Sequence, residues 1–187
     1  MKRATIFFIT MLFLLSFAHS AKAALQDLGG GLIYDEYLGI TWMQDANSAD
    51  DTMTWDEAVA WVDDLVFQGY DDWRLPETDT SCSEHDCPGS EMGHLFYTEG
   101  ITSDAMGLFS DVKSSMYWSS TEYDDIQAWR FNFKYGTQGK SDKDLKRYVW
   151  AVRYGESSPP VVPEPISSLL FITGGATLAV RRYRKNR

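Results

Sequence analysis

The stretch MYWSSTEYDDIQAWRFNFK, residues 116–134, decides the fold. Trp129, Phe131 and Phe133 alternate with Arg130, Asn132 and Lys134, the period of two that puts apolar side chains on one face of a strand. Residues 116–120 and 129–134 therefore read as strands joined by an acidic, irregular passage. Residues 148–153 read as a third strand, and the polar, glycine-containing stretch 135–146 between the last two reads as a loop.

Upstream the period becomes helical. Thr54-Trp55-Asp56-Glu57 has the spacing of a capping box, in which the Thr54 hydroxyl and the Glu57 carboxylate satisfy free amides at a helix start. Trp55, Ala58, Val59, Val62, Leu65 and Val66 then recur on one face, which predicts a helix over 55–67. A second, shorter helix is expected over 91–99, with Met92, Leu95 and Phe96 buried. Further upstream, residues 31–43 pattern as a hairpin with its turn between Asp35 and Gly39. Two early helices and a late antiparallel sheet make the expected class α+β.

The chain has 187 residues, 17 basic and 27 acidic, for a net charge of −10. Both ends are basic. Setting aside Lys2, Arg3, Lys22, Arg181, Arg182, Arg184, Lys185, Arg187 and Glu164 leaves nine basic residues against 26 acidic ones, or about −17 for the middle of the chain. Such a surface repels nucleic acid and anionic polymers as a whole, so no nucleic-acid partner is expected.

The ends read as addresses. Residues 1–23 combine Lys2 and Arg3, an apolar run and Ala21-Lys22-Ala23, as in a secretory signal peptide cleaved between Ala23 and Ala24. Residues 155–165 form a proline-rich linker ending in Val162-Pro163-Glu164-Pro165. The apolar residues 166–180 are expected to form a single transmembrane helix, and the basic tail 181–187 stays cytoplasmic by the positive-inside rule. Fifteen helical residues rise only about 22 Å, so flanking residues must help to span. This order of VPEP, apolar segment and arginine-rich terminus resembles the PEP-CTERM sorting signal. The resemblance implies an exosortase-type processing protease as partner in a Gram-negative bacterium. It also implies transient residence in the inner membrane, then the cell surface or extracellular matrix.

Between the ends lies one domain, residues 24–154. GLIYDEYLGITWMQDAN, MTWDEAVAWVDDL, GYDDWRLPE, EMGHLFY, YWSSTEY, AWRFNF and YVWAVR follow one another in an order similar to the Lcl C-terminal domain family. That resemblance implies a fold akin to C-type lectins and to the formylglycine-generating enzyme. The enzyme's cysteine chemistry does not follow, because residues 117–154 contain no cysteine.

Cys82 and Cys87 are the only cysteines, and on an exported chain a disulfide is the expectation. A metal site using both thiols with His85 is the alternative. Within the domain, His85 and His94 are the only histidines, and no GxSxG turn is present for a serine nucleophile. No catalytic residue is assigned and the protein is not expected to be an enzyme. No cofactor is required by the sequence; calcium is a candidate ion, at Glu122, Asp124 and Asp125, although these lack EF-hand spacing.

Trp42, Trp55, Trp73 and Trp150 sit within apolar patterns and read as core. Trp118, Tyr123 and Trp129 flank the acidic passage, and rings beside carboxylates suit a sugar, which stacks on the ring and bonds through its hydroxyls. The expected ligand surface is thus Trp118, Glu122, Tyr123, Asp124, Asp125 and Trp129. The leading expectation is an exported, surface-displayed, non-catalytic module that binds extracellular polysaccharide or a surface protein. A secreted hydrolase of envelope polymers and a purely structural surface protein are the alternatives. The net charge favours neutral glycans, cation-bridged ones or a protein partner.

Overall fold

A computed structural model describes residues 25–157. The expected signal peptide, the VPEP motif at 162–165, the segment 166–180 and the basic tail all lie outside those residues.

The chain opens with β1 (Leu25–Gly29), β2 (Leu32–Asp35) and β3 (Ile40–Met43), an antiparallel meander in which Leu32 faces Met43 and Asp35 faces Ile40. The β2–β3 turn is closed by the Leu38 N–H, which donates to Asp35 Oδ1 at 3.0 Å, and by Gly39 at φ +66°. A positive φ there costs glycine nothing and any branched residue a good deal. The last strand, β7 (Val152–Tyr154), returns to pair with β3, so the four-stranded sheet has the order β1-β2-β3-β7.

Between them, β4 (Met116–Glu122), β5 (Gln127–Asn132) and β6 (Thr137–Asp142) form a second, three-stranded antiparallel sheet. The register of β4 on β5 shifts between Trp118 and Glu122. That irregularity bends β4 just before the acidic passage. The two sheets are tied by residues 148–152. Tyr148 bridges Tyr117 of β4, and the Trp150 indole N–H donates to the carbonyl of Met43, the last residue of β3, at 2.7 Å.

Two short helices pack on these sheets. Helix α1 (Trp55–Asp63) begins with the capping box: Thr54 Oγ1 accepts the Glu57 N–H, and Glu57 Oε2 accepts the Thr54 N–H at 2.9 Å. It buries Trp55, Ala58 and Val62 and stops four residues before the sequence expectation. Asp63 and Asp64 place negative charge at the negative end of the helix dipole, with no basic residue in the last turn. Gln68 and Gly69 follow at positive φ. Helix α2 (Glu91–Tyr97) stops two residues short of expectation, with Thr98 as its C-cap.

The expected class is therefore corrected. The described domain is mostly β, with two antiparallel sheets and helices of only nine and seven residues, in place of two early helices followed by a late sheet. Three strands precede the helices, and the last strand belongs to the first sheet. Residues 137–142, expected as loop, form β6, because backbone pairing with β5 holds a strand whose side chains are nearly all polar. Among the described residues no helix is long and apolar enough to cross a membrane.

The core is an aromatic stack between the sheets. Trp42, Trp150, Phe109, Tyr117, Phe131 and Phe133 meet with ring centroids 5.0 to 6.4 Å apart, mostly edge to face. Each ring removed from water contributes about 2–3 kcal/mol. Arg74 clamps α2 to this body: Nη1 and Nη2 donate to the two Glu91 oxygens at 2.8 and 2.6 Å, and its guanidinium lies 4.1 Å from the Tyr154 ring centroid. Burial opposes the Arg74 charge, but Glu91 outweighs it and holds the guanidinium pKa above its usual value.

Candidate functional site

The acidic passage is a tight, self-capped turn between β4 and β5. Asp124 Oδ1 accepts the backbone N–H of Ile126 at 2.9 Å and of Gln127 at 2.7 Å, while the N–H groups of Tyr123 and Asp124 both donate to the Gln127 carbonyl. Asp124 is thus engaged in shaping the turn. Asp125 and Ile126 are left at the tip, Ile126 70% exposed.

Two other segments meet this tip. The Lys143 N–H donates to the Ile126 carbonyl, and the Lys143 carbonyl accepts the N–H of Trp55, both at 2.9 Å. The start of α1, the β4–β5 turn and the passage after β6 therefore surround one open depression of about 580 Å³. Asp56, Asp125, Asp142 and Asp144 line it with Thr54, Ile126 and a single cation, Lys143. Lys143 Nζ lies 3.4 Å from Glu122 Oε1 and 4.6 Å from the Trp55 ring centroid. Gln127 Nε2 donates to Asp142 Oδ1 at 2.7 Å, which fixes one wall. At its edge, hydrogen bonds from Thr54, the backbone N–H first, hold the Glu57 carboxyl below its ordinary pKa.

The expected ligand surface is only partly assembled. Glu122, Tyr123, Asp124 and Asp125 are exposed and adjacent. Trp118 is fully buried and Trp129 is 4% exposed, so their expected place on the surface is corrected. The Trp118 indole N–H donates to the Met53 carbonyl, and the Arg147 guanidinium lies 6.0 Å from its ring centroid. Lys140 Nζ sits 3.3 Å from the Tyr123 centroid and 5.6 Å from that of Trp129 and covers the ring face a sugar would use. Among the described residues, no group of three or more His, Cys, Asp or Glu side chains is placed to hold a metal ion, the expected calcium ligands Glu122, Asp124 and Asp125 included.

The cysteines form the Cys82–Cys87 disulfide, and the metal alternative with His85 falls away. His94 is buried, 3.6 Å from both Asp35 Oδ2 and Glu99 Oε1 and stacked on Tyr37. Neither histidine lines the depression. Sequence reading missed Thr54, Asp56, Ile126, Asp142, Lys143 and Asp144 as site residues. By local pattern Thr54 and Asp56 belong to the capping box at a helix start, and 142–144 to a polar loop. The register of β5 on β6 and the backbone bonds of Lys143 to Ile126 and Trp55 bring them together.

The described domain is thus a small antiparallel β module with an open, carboxylate-lined depression at one turn. Residues 31–153 match the family described as the Lcl C-terminal domain, and the chain belongs to that family. No curated protein matches the chain.

Proposed function

We propose that this chain is an exported, surface-displayed binding module, without catalytic activity, that holds extracellular polysaccharide through the depression beside the β4–β5 turn. The observation that carries the reading is the lining of that depression, four aspartates around an exposed isoleucine. Carboxylates accept paired hydrogen bonds from vicinal sugar hydroxyls, and an apolar side chain covers the C–H face of a sugar ring. The open form leaves room for a polymer that continues in both directions. Export rests on the signal-like residues 1–23, and display on the VPEP motif with its basic terminus, which make an exosortase-type protease the processing partner.

A panel of neutral polysaccharides presented to the purified protein tests this. Retention without release of shortened products is expected, and Asp125→Ala with Asp144→Ala should weaken it more than tenfold, at least about 1.4 kcal/mol. Release of shortened products would make the protein a hydrolase. No retention of any polymer would remove the reading.

A further inference from the structure

The chain that lines the depression at 142–144 goes on at 146–148 to line a second cleft, of about 300 Å³, with the opposite electrostatic character. Lys134, Lys146 and Arg147 line it with Tyr135, Tyr148 and Asn132. No carboxylate is among its lining residues, in a domain where acids outnumber bases almost three to one. Three of the nine basic residues outside the chain ends therefore converge on one cleft.

These cations are not consumed by the fold. Among the described residues, none of Lys134, Lys146 and Arg147 forms a salt bridge with a carboxylate, whereas Arg74, Lys113, Lys143 and Arg153 each do. Arg147 is instead held by uncharged groups: Nη1 donates to the Lys146 carbonyl and Nη2 to Ser141 Oγ, both at 2.9 Å. Its charge is fixed in place and not neutralised. Arg130, also without a carboxylate partner, lies close enough that burial, and then Arg147, pull its pKa down. Tyr135 beside Lys134 holds that ammonium above the usual lysine range.

We propose that this cleft is a second subsite of the same polymer-binding surface and takes a sugar residue bearing a carboxylate. The proposal rests on the polysaccharide reading and names the polymer's chemistry. A cleft of this volume accommodates a single sugar ring. Exposed Tyr135 and half-buried Tyr148 offer ring faces, Asn132 offers an amide to hydroxyls, and the three cations meet the carboxylate. Local potential governs such an encounter, so the net charge of the domain does not forbid it.

Affinity electrophoresis of the full chain in gels containing polygalacturonate, its methyl-esterified form or a neutral glucan tests the proposal. Esterification removes the charge and keeps the backbone. The expected result is salt-sensitive retardation by polygalacturonate, weakened more than tenfold by Lys134→Ala with Lys146→Ala. Both lysines are exposed, so the melting temperature should be unchanged, and binding to the esterified polymer and the glucan should not respond. Unchanged polygalacturonate retardation in the double variant would overturn the cleft. So would retention of uncharged polymers alone, which leaves the polysaccharide reading standing. Retention of no polymer would remove both.

Discussion

Replacing Gly93 by alanine puts the packing of α2 to a direct test. A methyl group at Gly93 would lie 1.9 Å from the Cys87 carbonyl oxygen. Ordinary contact is near 3.5 Å, so helix or loop must move by about 1.5 Å. Neither is free to do so. The loop is closed by the Cys82–Cys87 disulfide, and Gln138 Nε2 donates to the Cys82 carbonyl at 2.6 Å. The helix is pinned by buried Met92 and Leu95 and by the Arg74–Glu91 pair. Overpacking at such a site costs about 3 kcal/mol, and the better helix propensity of alanine returns about 1 kcal/mol. Gly93→Ala should therefore lower stability by about 2 kcal/mol, or about 7 °C in melting temperature for a domain of this size. Thermal unfolding followed by circular dichroism reads that shift. A double-mutant cycle with Cys82→Ser and Cys87→Ser should show a smaller penalty once the loop can yield. A neutral or stabilising Gly93→Ala variant would refute this packing.

Opening the disulfide alone should cost roughly 2 kcal/mol by the loop-closure entropy of a short ring, seen as a lower melting temperature under reducing conditions. Arg74→Ala should destabilise by about 2–3 kcal/mol, because it strands the half-buried Glu91 carboxylate, and urea unfolding would report it. In acid, Glu57, Asp72, Asp79 and Asp111 matter. Hydrogen bonds from Thr54, Arg153, Ser81 and Lys113 respectively hold their folded pKa values below the unfolded 4.5 or 3.8. Their stabilisation is present above those values and lost as pH falls through the folded ones, so melting temperatures should drop below about pH 4. Each exposed group adds little. In alkali the sign reverses: burial raises the Tyr117 phenol above 10.0, so its contribution is full below pH 10 and fades as pH climbs from there.

How much could be read in advance followed from where side chains carried the information. The β2–β3 hairpin, the Thr54–Glu57 capping box, the disulfide and the burial of Trp42, Trp55, Trp73 and Trp150 were legible, because each rests on local spacing or apolar pattern. Strand β6 was not, since TQGKSD carries no apolar alternation and owes its shape to β5. Residues 148–153 have the composition of a strand, but Tyr148 makes only an isolated bridge to Tyr117, and the strand proper starts at Val152 and pairs with β3, more than a hundred positions away. Trp118 lies where an exposed aromatic was expected. Met53 and Arg147 cover it from remote parts of the chain, and no local pattern encodes that cover. The candidate site shares this limit, because its aspartates come from three separate segments.

The proposed polysaccharide site is the depression beside the β4–β5 turn. Titrating the isotope-labelled protein with a neutral oligosaccharide from a retained polymer, while following backbone amide shifts, tests it most directly. Shifts concentrated at Asp125, Ile126, Lys143 and Asp144, and abolished by Asp125→Ala with Asp144→Ala, are the predicted result. Shifts that cluster away from these residues, or that persist in the double variant, would contradict it.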